Sequence, residues 1–214
     1  MASAPTSRDK ILDVAEALFA RRGYSGVGMR EVAESAGLGK SSLFHHFRGK
    51  AQLYGEVLTR VLERIGERLT PVATGSEPPW QTLERSVAAL IDALAEQPTT
   101  ARLLLRALFE DDELPVGSPD TAPAERALAT ILGDVEALLR RGVDEGAFRS
   151  VSVPHTLQTL IGATVYHFAS AEIGEGILGG PIFGAEAVAR RKREVIDLLR
   201  GGLRAPAPNS SEPA

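Results

Sequence analysis

Gly23-Tyr24-Ser25-Gly26-Val27-Gly28-Met29-Arg30-Glu31-Val32-Ala33-Glu34-Ser35-Ala36-Gly37-Leu38-Gly39-Lys40-Ser41-Ser42-Leu43-Phe44-His45-His46-Phe47-Arg48-Gly49-Lys50 is the stretch on which the fold of this chain turns. Its apolar residues recur three and four apart, which predicts two short helices, Met29 to Ala36 and Lys40 to Phe47, joined by a tight turn centred on Gly37. Such a turn brings two backbones close and asks for a residue that adopts positive φ without strain, as glycine does. Val32, Ala33, Ala36, Leu38, Leu43 and Phe47 can then pack inward. Lys40, Ser41, Ser42, Phe44, His45 and part of His46 are left facing out. That set is small, polar or basic at the N-terminal end of its helix, where a recognition helix meets base edges. The competing reading is a helical hairpin packed for structure, with solvated Lys, Ser and His on its surface. Lys50 opens a further helix, whose first amides and positive dipole end favour phosphate.

Outward from this stretch the same periodicity continues, and no alternating segment reads as a strand, so the chain is expected to be all-α with about nine helices. A first helix starts at Thr6 or Ser7, carries Ile11, Ala15, Leu18 and Phe19 on one stripe, and stops at Gly23. A fourth runs from Lys50 through Leu53, Val57, Val61, Ile65 and Leu69 until Pro71. A Pro/Gly/Ser-rich loop, Thr74 to Pro79, follows. Leu83 to Leu94 make a fifth helix, and Arg102 to Phe109 a sixth that is apolar on most sides and therefore buried. Asp111 to Pro123 read as an acidic exposed loop, Leu128 to Leu139 as a seventh helix, Pro154 to Ile173 as an eighth and Ala185 to Leu203 as the last. The expected division is 1–52 for a DNA-binding head, 53–204 for a ligand-binding and dimerisation body, and 205–214 for a Pro/Ser-rich disordered tail.

Composition supports a two-part chain. Of 214 residues none is cysteine, which excludes disulfides and thiolate metal sites and favours a reducing compartment. The opening residues lack the pattern of a secretory signal and no stretch is apolar enough to span a bilayer, so a cytoplasmic protein with no membrane partner is expected. Residues 1–50 carry eight Lys/Arg against five Asp/Glu, while the remainder carries sixteen against twenty-three; the net −4 of the whole hides a basic head on an acidic body. Positive charge confined to the head suits phosphate contact there and nowhere else.

The quoted stretch resembles the N-terminal DNA-binding domain of TetR-family repressors, closely over residues 8–54. Ala36-Gly37-Leu38 matches the family's turn, Leu43-Phe44-His45-His46-Phe47 its aromatic recognition helix, and Lys50 its fourth-helix lysine. The resemblance implies a three-helix head followed by a helical ligand and dimerisation domain, and a repressor that grips double-stranded DNA as a homodimer and is released by a small molecule. Gly28, Met29, Arg30, Gly39, Lys40, Ser41, Ser42, Phe44, His45 and Lys50 are the expected DNA contacts. The chain departs from the family at Val27-Gly28, Gly39, Ser41 and Phe44, where hydroxyl-bearing or smaller residues are common. Those departures remove helix caps and one phosphate hydrogen bond.

In the body, polar residues stranded in apolar helices are the candidates for an effector site: Arg102, Arg106, Tyr166, His167 and Ser170. Arg106 and Glu110, four apart, also read as a solvent-facing pair. By the same resemblance the last two helices pair with their mates through Leu160, Thr164, Phe168, Val188, Val195, Ile196 and Leu199, the alternative being that these pack the chain's own core. The abundance of Leu, Ile, Val and Phe suits an apolar or amphipathic effector. Gly174-Glu175-Gly176-Ile177-Leu178-Gly179 matches a dinucleotide-binding string, but it follows a long helix instead of a strand and reads as a flexible connector. With no nucleophile elbow, Cys/His pair or phosphate loop, no catalytic residue, metal or cofactor is expected. A small helical enzyme and a protein-interaction module without DNA binding remain the competing classes.

Overall fold

The computed structural model describes residues 6–109 and 118–205. Helix α1 (Ser7–Arg22) begins where the sequence places it. Thr6 caps it in a reciprocal box, its hydroxyl accepting from the Asp9 amide at 3.2 Å while the Asp9 carboxylate accepts from the Thr6 amide at 3.0 Å. Gly23, at φ 70°, ends it. Helices α2 (Met29–Ser35) and α3 (Lys40–His46) complete the head. Helix α4 (Lys50–Ala73), about 36 Å long at 1.5 Å per residue, leaves the head and runs into the body. Its stripe of Leu53, Val57, Val61, Ile65 and Leu69 is buried throughout.

Pro71 does not end α4. It lies in the last turn with its ring exposed, and the helical bond beyond it, Thr74 amide to Thr70 carbonyl at 3.0 Å, persists. Burial of Ala73 and a 2.7 Å hydrogen bond from the Thr70 hydroxyl to Asp134 hold that turn against the proline's missing donor.

The body is built from α5 (Pro79–Glu96), α6 (Pro98–Phe109), α7 (Ala122–Asp144), α8 (Val153–Ile161), a π turn (Gly162–Tyr166), α9 (His167–Ala169), α10 (Ala171–Leu178) and α11 (Ala185–Leu203). Helix α4 packs chiefly on α7 and α5, α11 lies along α5, and α6 crosses α1, the π turn and α9. Among the described residues there is no strand, only an isolated bridge between Phe148 and Arg204. One continuous apolar core runs from Ile11 in the head to Leu203 at the end of α11.

Four expectations are corrected. Helix α6 starts at Pro98, not Arg102, and is buried along one face, Thr100, Ala101, Leu103 and Leu104, with Leu108 47% exposed. The loop expected up to Pro123 ends sooner: Pro123 sits in the first turn of α7, where its missing N–H costs nothing, while residues 110–117 lie outside the described residues. The single long eighth helix widens at the π turn, runs on to Ala169 and breaks at Ser170, before Ala171 at φ 42°. The glycine-rich connector is helical as far as Leu178, and only Gly179, at φ 68°, acts as a stop. The tail beyond Ala205 lies outside the described residues.

Candidate nucleic-acid interface and apolar cavity

The turn between α2 and α3 closes as a Schellman motif: the Leu38 amide donates to the Ala33 carbonyl at 2.9 Å and the Gly37 amide to Glu34 at 3.1 Å. Gly37 sits at φ 70°, the left-handed conformation that glycine alone adopts cheaply. Val32, Ala33, Leu43 and Phe47 are buried and Ala36 and Leu38 half-buried, so α3 is pinned by its inner face. Each of the larger of these contributes about 1.5–3 kcal/mol by burial. Gly39, Lys40, Ser41, Phe44 and His45 are exposed and Ser42 and His46 half-buried, which turns one continuous polar and aromatic face outward.

Around that face stand three cations with different freedom. Lys40 extends over the Phe44 ring, its Nζ 5.8 Å from the centroid. Lys50 stacks 4.3 Å over Tyr24, whose ring packs edge-on against buried Tyr54, so its ammonium is held at the start of α4. Arg30 forms a 2.8 Å pair with Glu34 one turn along α2 and is exposed with it. Neither Gly28 nor Gly39, the N-caps of α2 and α3, has a side chain to bond their first amides. A Cβ at Gly28 would meet nothing within 4 Å and one at Gly39 only Ser41 Oγ at 3.9 Å, so packing does not demand glycine at either place. Val27, by contrast, is buried in the head, where a hydroxyl would need a partner.

The body holds an apolar cavity of about 310 Å3, lined by Leu58 and Leu62 of α4, Leu104 of α6, Leu128 and Ile131 of α7, and Val165 of the π turn. Thr121 and Glu125 mark its polar end, the Thr121 hydroxyl donating to Glu125 at 2.9 Å. None of the five residues singled out for an effector lines it. Tyr166 is 55% exposed, Arg102 lies half-buried on α6, and the Ser170 hydroxyl donates to the His167 carbonyl at 2.9 Å. His167 lines a separate cavity against α11. Arg106 donates to the Ala20 and Arg21 carbonyls at 3.1 and 3.4 Å, satisfying the end of α1; Glu110, its expected partner, lies outside the described residues.

A buried acid went unread in the sequence. Glu16, 3% exposed on α1, accepts from Arg60 at 3.1 Å, Arg64 at 2.8 Å and the Thr99 hydroxyl at 3.2 Å. Its signal was present: it lies four residues after Leu12 and three before Phe19, on the buried stripe of its helix. Helices α4 and α6, both of which line the cavity, thus both hold α1 of the head.

The residues expected to join two copies are mostly spent within one. Leu160, Thr164, Phe168, Val195 and Leu199 are buried in the chain's own core, and Val188 and Ile196 are packed against it. The large apolar side chains left exposed nearby are Tyr166, Ile173, Ile177, Leu178 and Leu198.

Comparison with known proteins follows the same division. Residues 11–57 match the sequence profile described as bacterial regulatory proteins, tetR family, and residues 79–199 that described as tetracyclin repressor-like, C-terminal domain. The chain is 26% identical over 144 residues to the HTH-type transcriptional repressor KstR2 of Rhodococcus jostii, spanning 67% of its own length and 68% of that relative's, and it spans about half the length of other curated relatives it matches. The fold is shared with the ketosteroid transcriptional regulator KstR2 of Mycobacterium tuberculosis, at a TM-score of 0.77 and 20% identity over 95% of this chain and 98% of that one. It is shared also with AibR, solved with isovaleryl coenzyme A and operator DNA, at a TM-score of 0.74 and 17% identity over 94% of this chain and 100% of that one. Among the described residues no helix is long and apolar enough to cross a membrane. With an N-terminal and a C-terminal profile matched in order on one shared fold, the chain belongs to the TetR family of bacterial regulatory proteins.

Proposed function

We propose that the protein is a cytoplasmic, homodimeric repressor that reads a palindromic operator and is released by a small apolar or amphipathic molecule. The observation that carries this reading is the rigidly seated α3, which offers Lys40, Ser41, Ser42, Phe44 and His45 outward with Lys50 beside them. Gly28, Met29, Arg30 and Gly39 complete the proposed contact, residues 1–52 forming the head and 53–204 the body. One helix-turn-helix makes few base contacts, so two heads reading half-sites about 34 Å or more apart are needed for specificity. Ile173, Ile177, Leu178 and Leu198 supply apolar surface for the second copy.

Relatives named as repressors, and a fold neighbour solved with both an acyl thioester and operator DNA, support an effector in the body. In this chain the apolar cavity suits it. At ~30 Å3 per non-hydrogen atom it holds about ten such atoms. An occupant that spreads α4 from α6 acts on both grips on α1 together, favouring a head arrangement that fits the operator less well. Ala107 lines this cavity. Ala107→Phe should fill it, abolishing both the rise in melting temperature that 1-octanol gives the wild type and any effect of the alcohol on DNA binding.

The DNA face is tested by two substitutions with different signatures. Lys50→Ala should weaken binding to every duplex and reduce the slope of log affinity against log salt by about 1. Ser42→Ala should change preference at particular base pairs by about 1–3 kcal/mol with the salt slope unchanged. Equal losses on all sequences from Ser42→Ala would remove it from base reading. Indifference of DNA binding to both would favour an interaction module.

A further inference from the structure

The walls of the apolar cavity are aliphatic except at one end, where the turn leading into α7 brings Thr121 and Glu125 to the lining. Thr121 is buried and has one proton to give, which its hydroxyl directs at the Glu125 carboxylate, at 2.9 Å, or at the Ser118 carbonyl, at 3.3 Å. This end of the cavity therefore presents acceptors. The start of α7 would otherwise welcome an anion, but Glu125 already supplies negative charge to that first turn. Two of its leading amides, those of Ala122 and Glu125, are spent on the Ser118 and Thr121 carbonyls at 3.0 Å each, and Pro123 has none.

Among the described residues no Lys, Arg or His lines this cavity, and residues 110–117, which join α6 to the turn, contain none in sequence. Arg48 comes to the turn from the head, but the group it meets there is Asp120, at 3.7 Å, outside the lining. An anionic head group at this end would face a carboxylate and no cation. An ammonium would face an opposite charge and acceptors for its N–H groups, with its chain against Leu58, Leu62, Leu104 and Leu128. Room for about ten non-hydrogen atoms limits that chain to about eight carbons. Building on the reading of this cavity as the effector site, we propose that it takes a cationic amphiphile, a primary alkylammonium whose N–H groups donate to Glu125 and to the Thr121 oxygen. Glu125 stands exposed at the cavity's edge, so its pull is that of a screened surface charge, and the aliphatic wall holds the chain.

Titration calorimetry on the full-length protein near neutral pH compares octylammonium chloride, 1-octanol and sodium octanoate, ligands of one chain length and different head charge. Glu125→Gln keeps the shape and an acceptor for Thr121 and removes the charge. It should weaken octylammonium binding about fivefold, leave 1-octanol within about twofold and tighten octanoate. In the wild type, octylammonium should bind more weakly as salt rises and 1-octanol should not. Octanoate bound by the wild type as tightly as octylammonium overturns the cationic assignment, and so does octylammonium binding indifferent both to Glu125→Gln and to salt; 1-octanol binding would still uphold the cavity as an apolar site. Failure of all three to bind the wild type, or binding that survives Ala107→Phe, overturns the site itself.

Discussion

Glu16→Ala is expected to lower the free energy of unfolding by about 3 kcal/mol, read as a fall in urea midpoint with an unchanged slope. Breaking a buried ion cluster from one side generally costs about 3–5 kcal/mol, because the partner charges are left desolvated. Here the partners decide where in that range the loss falls. The Arg60 and Arg64 side chains keep 23% and 33% exposure against 4% for Glu16, so both can recover water, and Arg60 retains Asp13 at 2.8 Å. The lower end follows. Glu16→Gln keeps the shape and one acceptor and should lose less. The same change should loosen the head on the body, since Glu16 is where α4 and α6 grip α1 together, and the response of DNA binding to an occupied cavity should weaken with it. A Glu16→Ala protein of wild-type stability would show that the cluster is ornamental.

Gly55→Ala should be the most damaging of the conservative changes in α4. A Cβ there would stand 1.9 Å from the Asp120 carbonyl oxygen and 2.8 Å from its carbon, and backbone has no rotamer by which to escape. Alanine gains about 1 kcal/mol of helix propensity over glycine, against overpacking of about 1–3 kcal/mol. The backbone contact places the strain at or above the top of that range, leaving a net loss of about 2 kcal/mol. Prying α7 from α4 also parts Leu128 and Ile131 from Leu58 and Leu62 across the cavity, so 1-octanol should stabilise this variant less than the wild type. Thermal unfolding with and without the alcohol checks both. A Gly55→Ala protein more stable than the wild type would mean that propensity, not the clash, decides.

The head was legible because its determinants are local. Thr6 with Asp9, Gly23 and Gly37 each act within a turn of chain, and the inward set around Leu43 and Phe47 follows from helical spacing alone. The body was legible as helices but not as a site. The cavity takes most of its walls from α4, α6, α7 and the π turn, and its aliphatic lining residues, read singly, look like core. Spacing likewise could not divide Leu160, Val195 and Leu199, which face inward, from Leu198, which does not, on helices apolar around much of their surface. Of the polar residues expected to hold an effector, Arg106 donates to the end of α1 and Ser170 to its own helix, and none lines the apolar cavity. Gly174 and Gly176 argued for a loop, yet α10 continues through them: neither takes a positive φ, and Gly174 is buried inside the helix.

Selection of bound sequences from a random duplex pool, with the purified protein at moderate salt and no added ligand, tests the central claim most directly. The account predicts enrichment of a palindrome whose half-sites are about one helical turn or more apart, lost when apolar ligand fills the cavity. No enrichment by a folded protein, repeated at low salt, would contradict it and leave the exposed face of α3 as a surface for a protein partner.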